Sequence, residues 1–454
     1  MLTKRKQMKV VIIGAGFGGL TLARKLNNKP GFEVVLIDRF NYHQFQPLFY
    51  QVATAGLDAS NISFPLRKIF QNSKNVRIRL AELKQVLSAE NKIITETEEI
   101  HYDILVLATG ADTNFFGNAG IAAYAFPMKS TVEALQLRYR LLKNLEDALT
   151  LKEEEEWQRL MNIVVVGGGP TGVEVAGALA ELRKYILPKE YPELDFSKMN
   201  IYLLEGRDRT LAAMSEKSSD RSCKYLRRSG VIVRTDTLVD DYDGQDVKLN
   251  NGEKIPSATV IWAAGVKGNV PAGINPGLIA NGNRIKVNRA CQAVGYHNIY
   301  VIGDLAYMET PGYPNAHPQV APVAMQQAAM LAENLIRKER KLLTFYDFGY
   351  HDKGTMATIG RNLAVVDIPM PKIFHTKLHF GGFLAWILWM GLHLILILGV
   401  KNRLFVLLNW LYNYITYDQS LRLIFRKFNK THPTQRLNFE GSPYNNYSTA
   451  HISE

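Results

Sequence analysis

Cysteine is almost absent from this chain of 454 residues, which carries only Cys223 and Cys291. The two lie far apart and outside any CxxC spacing. A disulfide framework, a zinc site and a redox-active dithiol each need cysteines that are more numerous or more closely spaced. The sequence therefore excludes all three. It predicts two ordinary thiols in a reducing compartment and no metal site.

No cleavable export signal is visible in the sequence. The basic stretch Met1 to Lys9 is followed by apolar residues that run into a glycine-rich turn at Gly14. This arrangement is typical of a strand entering a loop, whereas the apolar run of a signal peptide ends at a small-residue cleavage site. We therefore expect no cleavable signal peptide.

Acidic residues are fewer than basic ones, 42 against 54, so the formal net charge is +12. Such a balance suits nucleic acid, an anionic lipid surface or a phosphate-bearing ligand, and composition alone does not choose among them. No nucleic-acid-binding motif accompanies the charge, so we expect no nucleic acid partner. The composition, 47% hydrophobic and 21% charged, is that of a globular protein, and the length favours two or three domains.

A strand, a glycine-rich turn, a helix and a second strand occur twice in the sequence. The first copy covers residues 9–38 and the second covers 162–205. A buried-type strand that ends in small residues follows each copy at a matching place, at 102–110 and at 258–265. The chain therefore contains an internal duplication of one functional unit.

Each glycine of the two turns meets a separate physical demand. The first allows a tight turn, the second lets the backbone approach a pyrophosphate, and the third lets the helix pack on the strand. The helix N-terminus then offers free N–H groups and a positive dipole end to phosphates. The glycines concerned are Gly14, Gly16, Gly18 and Gly19 in the first copy and Gly167, Gly169 and Gly172 in the second.

An acidic residue ends the second strand of each copy, Asp38 in the first and Glu205 in the second. A carboxylate at this point can accept hydrogen bonds from the ribose hydroxyls of an adenosine. A single glycine-rich turn also occurs without a ligand, but two complete copies favour dinucleotide binding at both places. Glu205 favours NADH because it repels the 2′-phosphate of NADPH, although Arg207 and Arg209 nearby weaken this preference.

The pair Gly303-Asp304 follows a strand and precedes a helix predicted over Ala321 to Leu335. Asp304 is placed to bind the ribityl chain of a flavin, and the alternative is that it only caps the helix region. The order of the motifs assigns FAD to the N-terminal unit and NAD to the inserted unit.

These motifs resemble those of the two-dinucleotide-binding-domain flavoproteins and, within that group, of the type II NADH dehydrogenases. The resemblance extends over roughly 9–426, and its more specific carriers are the stretches 45–53, 321–328, 350–361 and 383–410. It implies an α/β fold with two Rossmann-like dinucleotide-binding domains, the FAD domain being interrupted by the NAD domain, and a C-terminal helical membrane-associating region. The implied boundaries are 1–125 with 285–372 for FAD, 126–284 for NAD, 373–430 for the membrane-anchoring helices and 431–454 for a polar tail.

The resemblance also implies cofactor-binding residues in addition to the two glycine turns, Asp38 and Glu205. For FAD these are Pro47 and Leu48 lining the flavin, Leu83 near the adenine, Ala108, Thr109, Gly110, Gly303, Asp304 and Ala324 around the cofactor, and Lys377 towards the isoalloxazine. For NAD they are Thr171, Ala264 and Gly265.

Three residues are implied to act in catalysis. Glu174 lies between the nicotinamide and the flavin, and Gln326 and Gln327 lie on the quinone side of the flavin. The alternatives are that Glu174 is a first-turn acid that favours the helix dipole, and that the glutamines are solvated helix residues. Some relatives carry an additional glutamine where this chain has Pro322, so Gln326 must act with different help.

Two apolar stretches, Gly381 to Val400 and Leu404 to Tyr417, lie near the end of the sequence. The first stretch is long enough to span a bilayer core, for which about 20 apolar residues suffice. The second is short and interrupted by asparagines, so we interpret both as lying on a membrane surface. The aromatic residues suited to the headgroup boundary are Trp386, Trp389, Trp410 and Tyr412. The basic residues expected to attract anionic lipids are Arg422, Arg426, Lys427 and Lys430. The alternative is a hairpin buried at a homodimer interface.

The activity implied by the resemblance is that of an NADH:quinone oxidoreductase that pumps no protons, passing hydride from NADH to FAD and two electrons to a membrane ubiquinone or menaquinone. The implied location is the cytoplasmic face of the bacterial inner membrane, as a monotopic protein. Disulfide and sulfide:quinone reductases use the same scaffold but need cysteines at the flavin, where this chain has none. Two alternatives stay open: a soluble reductase of a protein electron carrier and a membrane-associated redox sensor.

Overall fold

The computed structural model describes residues 7–370, 377–419 and 421–424. The polar tail predicted for 431–454 and the basic residues Arg426, Lys427 and Lys430 lie outside the described residues. The helices, numbered in chain order, are α1 (Phe17–Leu26), α2 (Phe49–Ala53), α3 (Leu66–Ile69), α4 (Ala119–Tyr124), α5 (Thr131–Ala148), α6 (Glu154–Met161), α7 (Pro170–Tyr185), α8 (Leu187–Glu190), α9 (Glu216–Arg228), α10 (Ala321–Glu339), α11 (Phe383–Leu396) and α12 (Val400–Thr416).

A first parallel sheet contains the strand that leads into the first glycine turn. Its strands, in spatial order, are Ile299–Val301, Ile104–Leu107, Met8–Ile13, Phe32–Asp38 and Val76–Leu80. All neighbours pair in parallel. Val10, Val11 and Ile12 are fully buried, as expected for a parallel strand that is covered on both faces.

A second parallel sheet repeats this arrangement. Its strands, in spatial order, are Phe126–Pro127, Thr259–Trp262, Asn162–Val166, Asn200–Leu204 and Ile232–Arg234. The neighbours again pair in parallel. In both sheets the strand before the glycine turn lies beside the strand that ends in the acidic residue, so the repeat in the sequence corresponds to a repeat in the structure.

The chain leaves the first sheet, builds the second and then returns to the first through Ile299–Val301. This order confirms the predicted α/β fold, in which one dinucleotide-binding unit interrupts the other. The domain boundaries at 125/126, 284/285 and 372/373 stay predictions.

Smaller sheets connect these units. Three of them are antiparallel and three-stranded: Leu83–Leu87 with Lys92–Thr95 and Glu99–His101; Val239–Tyr242 with Asp246–Leu249 and Lys254–Pro256; and Thr355–Thr358 with Ala364–Pro369 and Lys377–Gly381. The shorter strands are Tyr42–Gln44 with Ser63–Pro65, Ala111–Thr113 with Val266–Gly268, and Ile279–Ala280 with Arg284–Lys286 and Ala306–Tyr307.

Helices α11 and α12 form a hairpin with one face against the protein. On α11 every fourth side chain faces inward, so that Ala385, Trp389 and His393 are buried. On α12, Val406 and Trp410 are buried and pack in the same core as α7. Within the described residues no helix is both long and apolar enough to cross a bilayer.

The other sides of this hairpin are exposed and apolar. The large hydrophobic side chains exposed there are Phe383, Leu384, Ile387, Leu388, Leu392, Ile395 and Leu396 on α11, and Val400, Leu404, Phe405, Leu407, Leu408, Leu411 and Ile415 on α12. We call this surface the outer hairpin face.

Candidate functional site

The two glycine turns have the same backbone geometry. Gly14 and Gly167 adopt φ of +98° and +106°, a region that favours glycine. A Cβ atom at Gly14 would lie 2.3 Å from the carbonyl oxygen of Ala108. At the third glycines, Gly19 and Gly172, a Cβ would lie 1.8 Å from the carbonyl oxygen of the first glycine of the same turn. The first and third glycines of each motif are therefore required by the fold itself.

The middle glycines behave differently. Gly16 and Gly169 have ordinary negative φ, −67° and −70°, and a Cβ at either position would meet nothing within 4 Å. Each is the N-cap residue of a helix, α1 or α7, and makes no side-chain capping hydrogen bond. The open space in front of free helical N–H groups is where a pyrophosphate can approach, so the fold leaves the middle glycine available for a ligand.

The acidic residues end their strands in matching positions. The Asp38 carboxylate accepts hydrogen bonds from the backbone N–H groups of Ala15 (2.6 Å) and Phe40 (2.7 Å). The Glu205 carboxylate accepts from those of Gly168 (2.6 Å) and Arg207 (2.8 Å). A carboxylate has about four acceptor positions, so each of these acids can still accept hydrogen bonds from ribose hydroxyls.

A cavity of about 490 Å³ opens in front of the first glycine turn. The residues lining it that the sequence predicts to bind FAD are Gly14, Gly16, Asp38, Leu83, Ala108, Thr109, Gly110 and Asp304. They come from segments far apart in the chain, and the fold brings them to the carboxyl ends of the parallel strands. The cavity lies where open α/β sheets bind their ligands.

Asp304 belongs to this cavity rather than to the cap of α10, which begins many residues later. Burial raises the pKa of its carboxyl group, while the charges of Lys129 and Arg284 act against this shift. A carboxyl group beside two cations, within a cavity of this size, is suited to accept hydrogen bonds from the hydroxyls of a ribityl chain.

Three further predicted residues pack the first turn against α10. A Cβ at Gly18 would lie 3.3 Å from the side chain of Ile302 and 3.6 Å from the carbonyl oxygen of Ala324. A Cβ at Gly303, where φ is +72°, would lie 3.2 Å from the Cβ of Ala324. Gly18, Gly303 and Ala324 therefore act through close backbone packing.

The remaining predicted FAD residues lie at the edges. Pro47 and Leu48 belong to the short helical turn Gln46–Leu48, where Leu48 is fully buried and Gln46 lines the cavity. Lys377 begins the strand Lys377–Gly381 and pairs with Pro369, but its side chain lies outside the described part of the structure.

The residues present fit FAD. The cavity offers a strand-end carboxylate for the adenosine ribose, an open cradle at a middle glycine for the pyrophosphate and a buried carboxyl group for the ribityl chain. The sequence did not single out Lys129, Asn269 or the apolar pair Val270 and Pro271, which also line the cavity. They lie in connections to and from the second sheet and carry no local motif.

The residues predicted to bind NAD surround the second turn. Thr171 is exposed in the first turn of α7. Ala264 and Gly265 are the second and third residues after the strand Thr259–Trp262, and a Cβ at Gly167 would lie 2.8 Å from the Cα of Ala264. Ala264 and Gly265 occupy the same positions after their strand as Thr109 and Gly110 do in the first unit.

Glu174 is buried, with 8% of its surface exposed, and its carboxylate faces the backbone N–H of Thr358 at 3.5 Å. Burial raises the pKa of this carboxyl group to about 8, and the Thr358 N–H opposes the shift. The alternative of a first-turn acid that favours the helix dipole is therefore wrong, because the first turn of α7 contains no acidic residue and Glu174 is buried in the second.

The two glutamines of α10 are bonded to backbone. Gln327 is 1% exposed and its Oε1 accepts a hydrogen bond from the Gly303 N–H at 2.7 Å. Gln326 donates to the carbonyl oxygen of His351 (2.9 Å) and accepts from its N–H (3.0 Å). The interpretation as two solvated residues is wrong for Gln327. A direct role of either at a quinone stays a prediction.

A second cavity, of about 110 Å³, lies between α2, α7 and the C-terminal hairpin. We call it the hairpin cavity. The residues lining it include Tyr50, Ala178, Glu181, Thr358, Arg361 and Trp389. None of these was singled out for this role by a sequence motif.

Trp389 and Trp410, which were expected at the headgroup boundary of a membrane, are buried beside the hairpin cavity. Trp389 is 2% exposed and stacks on His393, with ring centroids 4.0 Å apart. Trp410 is 9% exposed and its Nε1 donates to Gln51 at 2.8 Å. Both therefore face the protein instead of a headgroup layer. Two asparagines of the hairpin also face the protein, since Asn402 and Asn413 donate to backbone carbonyls of residues 56–61.

Comparison with known proteins agrees with this architecture. Residues 8–328 match the family model described as pyridine nucleotide-disulphide oxidoreductase, and residues 352–416 match the model described as NDH2 C-terminal domain. A type II NADH:quinone oxidoreductase of Mycobacterium tuberculosis is 34% identical over 434 residues, which cover 90% of this chain and 89% of that protein. A type II NADH:quinone oxidoreductase of Haemophilus influenzae is 30% identical over a region that covers 78% of this chain and 86% of that protein.

Solved structures show the same fold. NDH2 of Plasmodium falciparum, solved in complex with NADH, superposes with a TM-score of 0.82 at 21% identity, covering 93% of this chain and 100% of that one. The sulfide:quinone oxidoreductase of Aquifex aeolicus superposes with a TM-score of 0.69 at 19% identity, covering 90% and 95%. The extent of the family match and the identity to the curated relatives show that the chain belongs to the pyridine nucleotide-disulphide oxidoreductase family and, within it, to the type II NADH:quinone oxidoreductases.

Proposed function

We propose that this protein is an NADH:quinone oxidoreductase that pumps no protons and uses FAD as its bound cofactor. The observation that carries the proposal is the 34% identity to a type II NADH:quinone oxidoreductase across 90% of the chain. The structure adds two glycine turns of matching backbone geometry, each beside a strand-end carboxylate. The alternative of a soluble carrier reductase does not account for the NDH2-type C-terminal region.

The residues of the first unit hold the cofactor. Bound FAD would supply the redox chemistry, accepting hydride from NADH and giving two electrons to a quinone. The N-terminus of α1 stabilises the negative pyrophosphate, and Asp38 binds the adenosine ribose. Gln327 holds the Gly303 N–H, which fixes the turn that presents Asp304 to the cavity.

The residues of the second unit bind the nicotinamide nucleotide. The N-terminus of α7 takes its pyrophosphate, and Glu205 takes its adenosine ribose. The Glu205 carboxylate is held by two backbone N–H groups, so it stays in place to repel a 2′-phosphate. We therefore propose NADH as the preferred donor.

We further propose that the outer hairpin face lies on a lipid surface. Its apolar side chains are exposed, while Trp389, His393 and Trp410 of the same helices are buried against the protein, an arrangement suited to an interfacial helix. Arg422 cannot provide the attraction to lipid expected of it, because its guanidinium is paired with Glu190 and Asp418. Lys401, exposed at the turn of the hairpin, takes that role. The cytoplasmic face of the bacterial inner membrane is the location that we propose.

The enzymatic proposal is tested on the purified protein. We expect a bound flavin whose visible absorbance is bleached by NADH and restored by a short-chain quinone. Release of no flavin on denaturation, even after reconstitution with FAD, would refute the proposal.

The lipid proposal is tested by vesicle flotation with the double variant Leu384→Gln/Leu408→Gln, whose side chains are 74% and 50% exposed. We expect loss of vesicle binding and of membrane-quinone reduction, with the short-chain quinone still reduced. Leu343→Gln, at a position 95% exposed outside the hairpin, is the matched control. If the face instead formed a homodimer, the double variant would sediment as a monomer and still bind vesicles.

A further inference from the structure

The loop that leads into α4 holds a bulky residue in a backbone conformation that suits glycine. Phe116 has φ +52° and Gly117 has φ +81°, and the N–H of Asn118 donates to the carbonyl oxygen of Phe115 at 3.0 Å. This hydrogen bond across two residues of positive φ is the pattern of a type I′ turn. Such turns prefer Asn-Gly or Asp-Gly, and an aromatic residue at the first central position is strained. We call residues 115–118 the phenylalanine turn.

Packing does not explain the aromatic residue either. Phe116 is 66% exposed, and its ring meets Trp262 only edge-on, with the ring centroids 6.5 Å apart. The neighbouring Phe115 is the less exposed of the two and packs against the core of the second unit. The backbone at position 116 is therefore strained for the sake of a ring that stays mostly exposed. Strain of this kind concentrates at functional sites.

The phenylalanine turn is fixed to the end of a strand of the second sheet. The backbone N–H of Asn114 donates to the carbonyl oxygen of Gly265 at 3.0 Å. The backbone carbonyl oxygen of Asn114 accepts from the Nε1 of Trp262 at 2.8 Å, and its side chain accepts from the N–H of Phe116 at 2.9 Å. Three hydrogen bonds through one residue thus hold the turn beside Gly265.

The ring of Phe116 lies against Gly265. A Cβ at Gly265 would lie 3.0 Å from the Cζ of Phe116 and 3.6 Å from its Cε2. The absence of a side chain at Gly265 is therefore what leaves room for the ring. Because Gly265 is one of the residues that the sequence predicts to bind NAD, Phe116 adds an exposed apolar surface to this part of the second unit.

The strand order places Gly265 on the nicotinamide side of the second glycine turn. Thr259–Trp262 and Asn200–Leu204 flank the strand Asn162–Val166, which leads into that turn. Glu205 follows one neighbour and Gly265 comes soon after the other. A dinucleotide with its adenosine ribose at Glu205 and its pyrophosphate at the N-terminus of α7 extends its other half towards Gly265. This step rests on the proposed function.

The same side of the second unit leads to the FAD cavity. The strands Ala111–Thr113 and Val266–Gly268 pair with each other in the connection between the two units. Gly265 directly precedes the second of these strands, and Asn269, which directly follows it, lines the FAD cavity. These two residues are separated by about 13 Å of extended chain. Phe116 therefore lies near the route by which a nicotinamide reaches the flavin.

We propose that the ring of Phe116 contacts the nicotinamide ring of bound NADH and holds it towards the FAD cavity. An aromatic side chain offers a flat apolar surface for stacking, and a turn that is already fixed loses little conformational entropy when the ligand binds. Asparagine would relieve the backbone strain at this position but offers no such surface. Phe116 is thus a binding residue for the electron donor that no sequence motif includes.

The test compares two ligands that differ in the nicotinamide ring. NAD⁺ carries this ring, whereas ADP-ribose has the same adenosine, pyrophosphate and second ribose without it. With the FAD-loaded protein in a calorimeter, we expect Phe116→Asn to raise Kd for NAD⁺ by roughly 10-fold and to leave Kd for ADP-ribose unchanged. Phe116→Tyr keeps the ring and should bind both ligands as the wild type does. Phe345→Asn, which removes a 50% exposed ring after α10, is the matched control.

The melting temperature gives a readout that needs no ligand. Asparagine adopts the left-handed region more readily than phenylalanine does, so Phe116→Asn should melt at a temperature at least as high as that of the wild type. A residue retained for packing would behave in the opposite way, because its loss would lower the melting temperature. Weaker binding of NAD⁺ without a loss of stability is therefore specific to a ligand contact.

Three results would overturn the proposal. An unchanged Kd for NAD⁺ in Phe116→Asn would refute the contact and leave the enzymatic function standing. An equal rise of Kd for both ligands would refute it too, and with a lowered melting temperature would assign Phe116 to packing. If the wild-type protein bound neither NAD⁺ nor ADP-ribose, the proposed function itself would fail.

Discussion

The middle glycine of the second turn offers the sharpest test of the binding geometry. Gly169 has φ −70° and ψ 179°, and a Cβ there meets nothing within 4 Å. The variant Gly169→Ala is therefore expected to fold as the wild type does, because neither the backbone conformation nor any neighbour opposes the methyl group. The methyl group would occupy the space in front of the α7 N-terminus.

The magnitude follows from the contact that is lost. A phosphate at a helix N-terminus gains up to about 2 kcal/mol from the dipole and the free N–H groups, and about 2 kcal/mol corresponds to roughly 30-fold in affinity. We expect KM for NADH to rise by about this factor with kcat unchanged, since the pyrophosphate is bound equally in the ground state and the transition state. The FAD content should stay as in the wild type, because Gly16 serves the other turn.

The assay is steady-state NADH oxidation with a short-chain quinone, together with the melting temperature and the released flavin. Gly172→Ala is the contrasting variant, since its Cβ would lie 1.8 Å from the carbonyl oxygen of Gly167 and should lower the melting temperature. If Gly169→Ala bound NADH normally, the second turn would not be the pyrophosphate site. If it lost FAD instead, the assignment of the two cofactors would be reversed.

Two other predictions concern buried polar groups. Folding raises the pKa of the Glu174 carboxyl group from 4.5 to about 8, so the folded state binds its proton more tightly than the unfolded state does. The free energy of unfolding that this adds is complete below pH 4.5 and is lost as the pH rises through about 8. Glu174→Gln should therefore raise the melting temperature above pH 8 more than at pH 4, and an equal effect at both would contradict the buried neutral acid. Gln327→Leu leaves the Gly303 N–H without its acceptor, which should lower the free energy of unfolding in urea titrations by about 1–3 kcal/mol and weaken FAD retention. An effect no larger than that of Gln326→Leu, at a less buried position, would contradict the role of Gln327 in holding Gly303.

Much of the fold could be read from local patterns. The glycine motifs require particular φ angles and close contacts that other residues cannot provide, and the strands around them are continuous apolar runs, so both dinucleotide-binding units follow from short stretches of sequence. The placement of Asp38 and Glu205 followed for the same reason, because each comes at the end of the next parallel strand after the turn.

The C-terminal hairpin shows where local patterns fail. Its sequence is apolar on nearly all sides, so hydrophobicity alone could not tell the inward residues from the outward ones. Trp389 and Trp410 were expected at a headgroup boundary, yet they are buried against Tyr50 and Gln51. The direction of each side chain depends on which helix face meets the rest of the protein, and that is a tertiary property.

The sequence by itself determined the two nucleotide-binding units, their order and the carboxylates that end their strands, because these depend on backbone constraints over a few residues. Only the tertiary structure decided which side chains share a cavity. Lys129 lines the same cavity as Asp304, Gln327 is hydrogen-bonded to Gly303, and Glu181 lines a cavity that the hairpin closes. Burial of apolar surface brings these distant segments together, so the distance between them along the sequence does not predict the contacts.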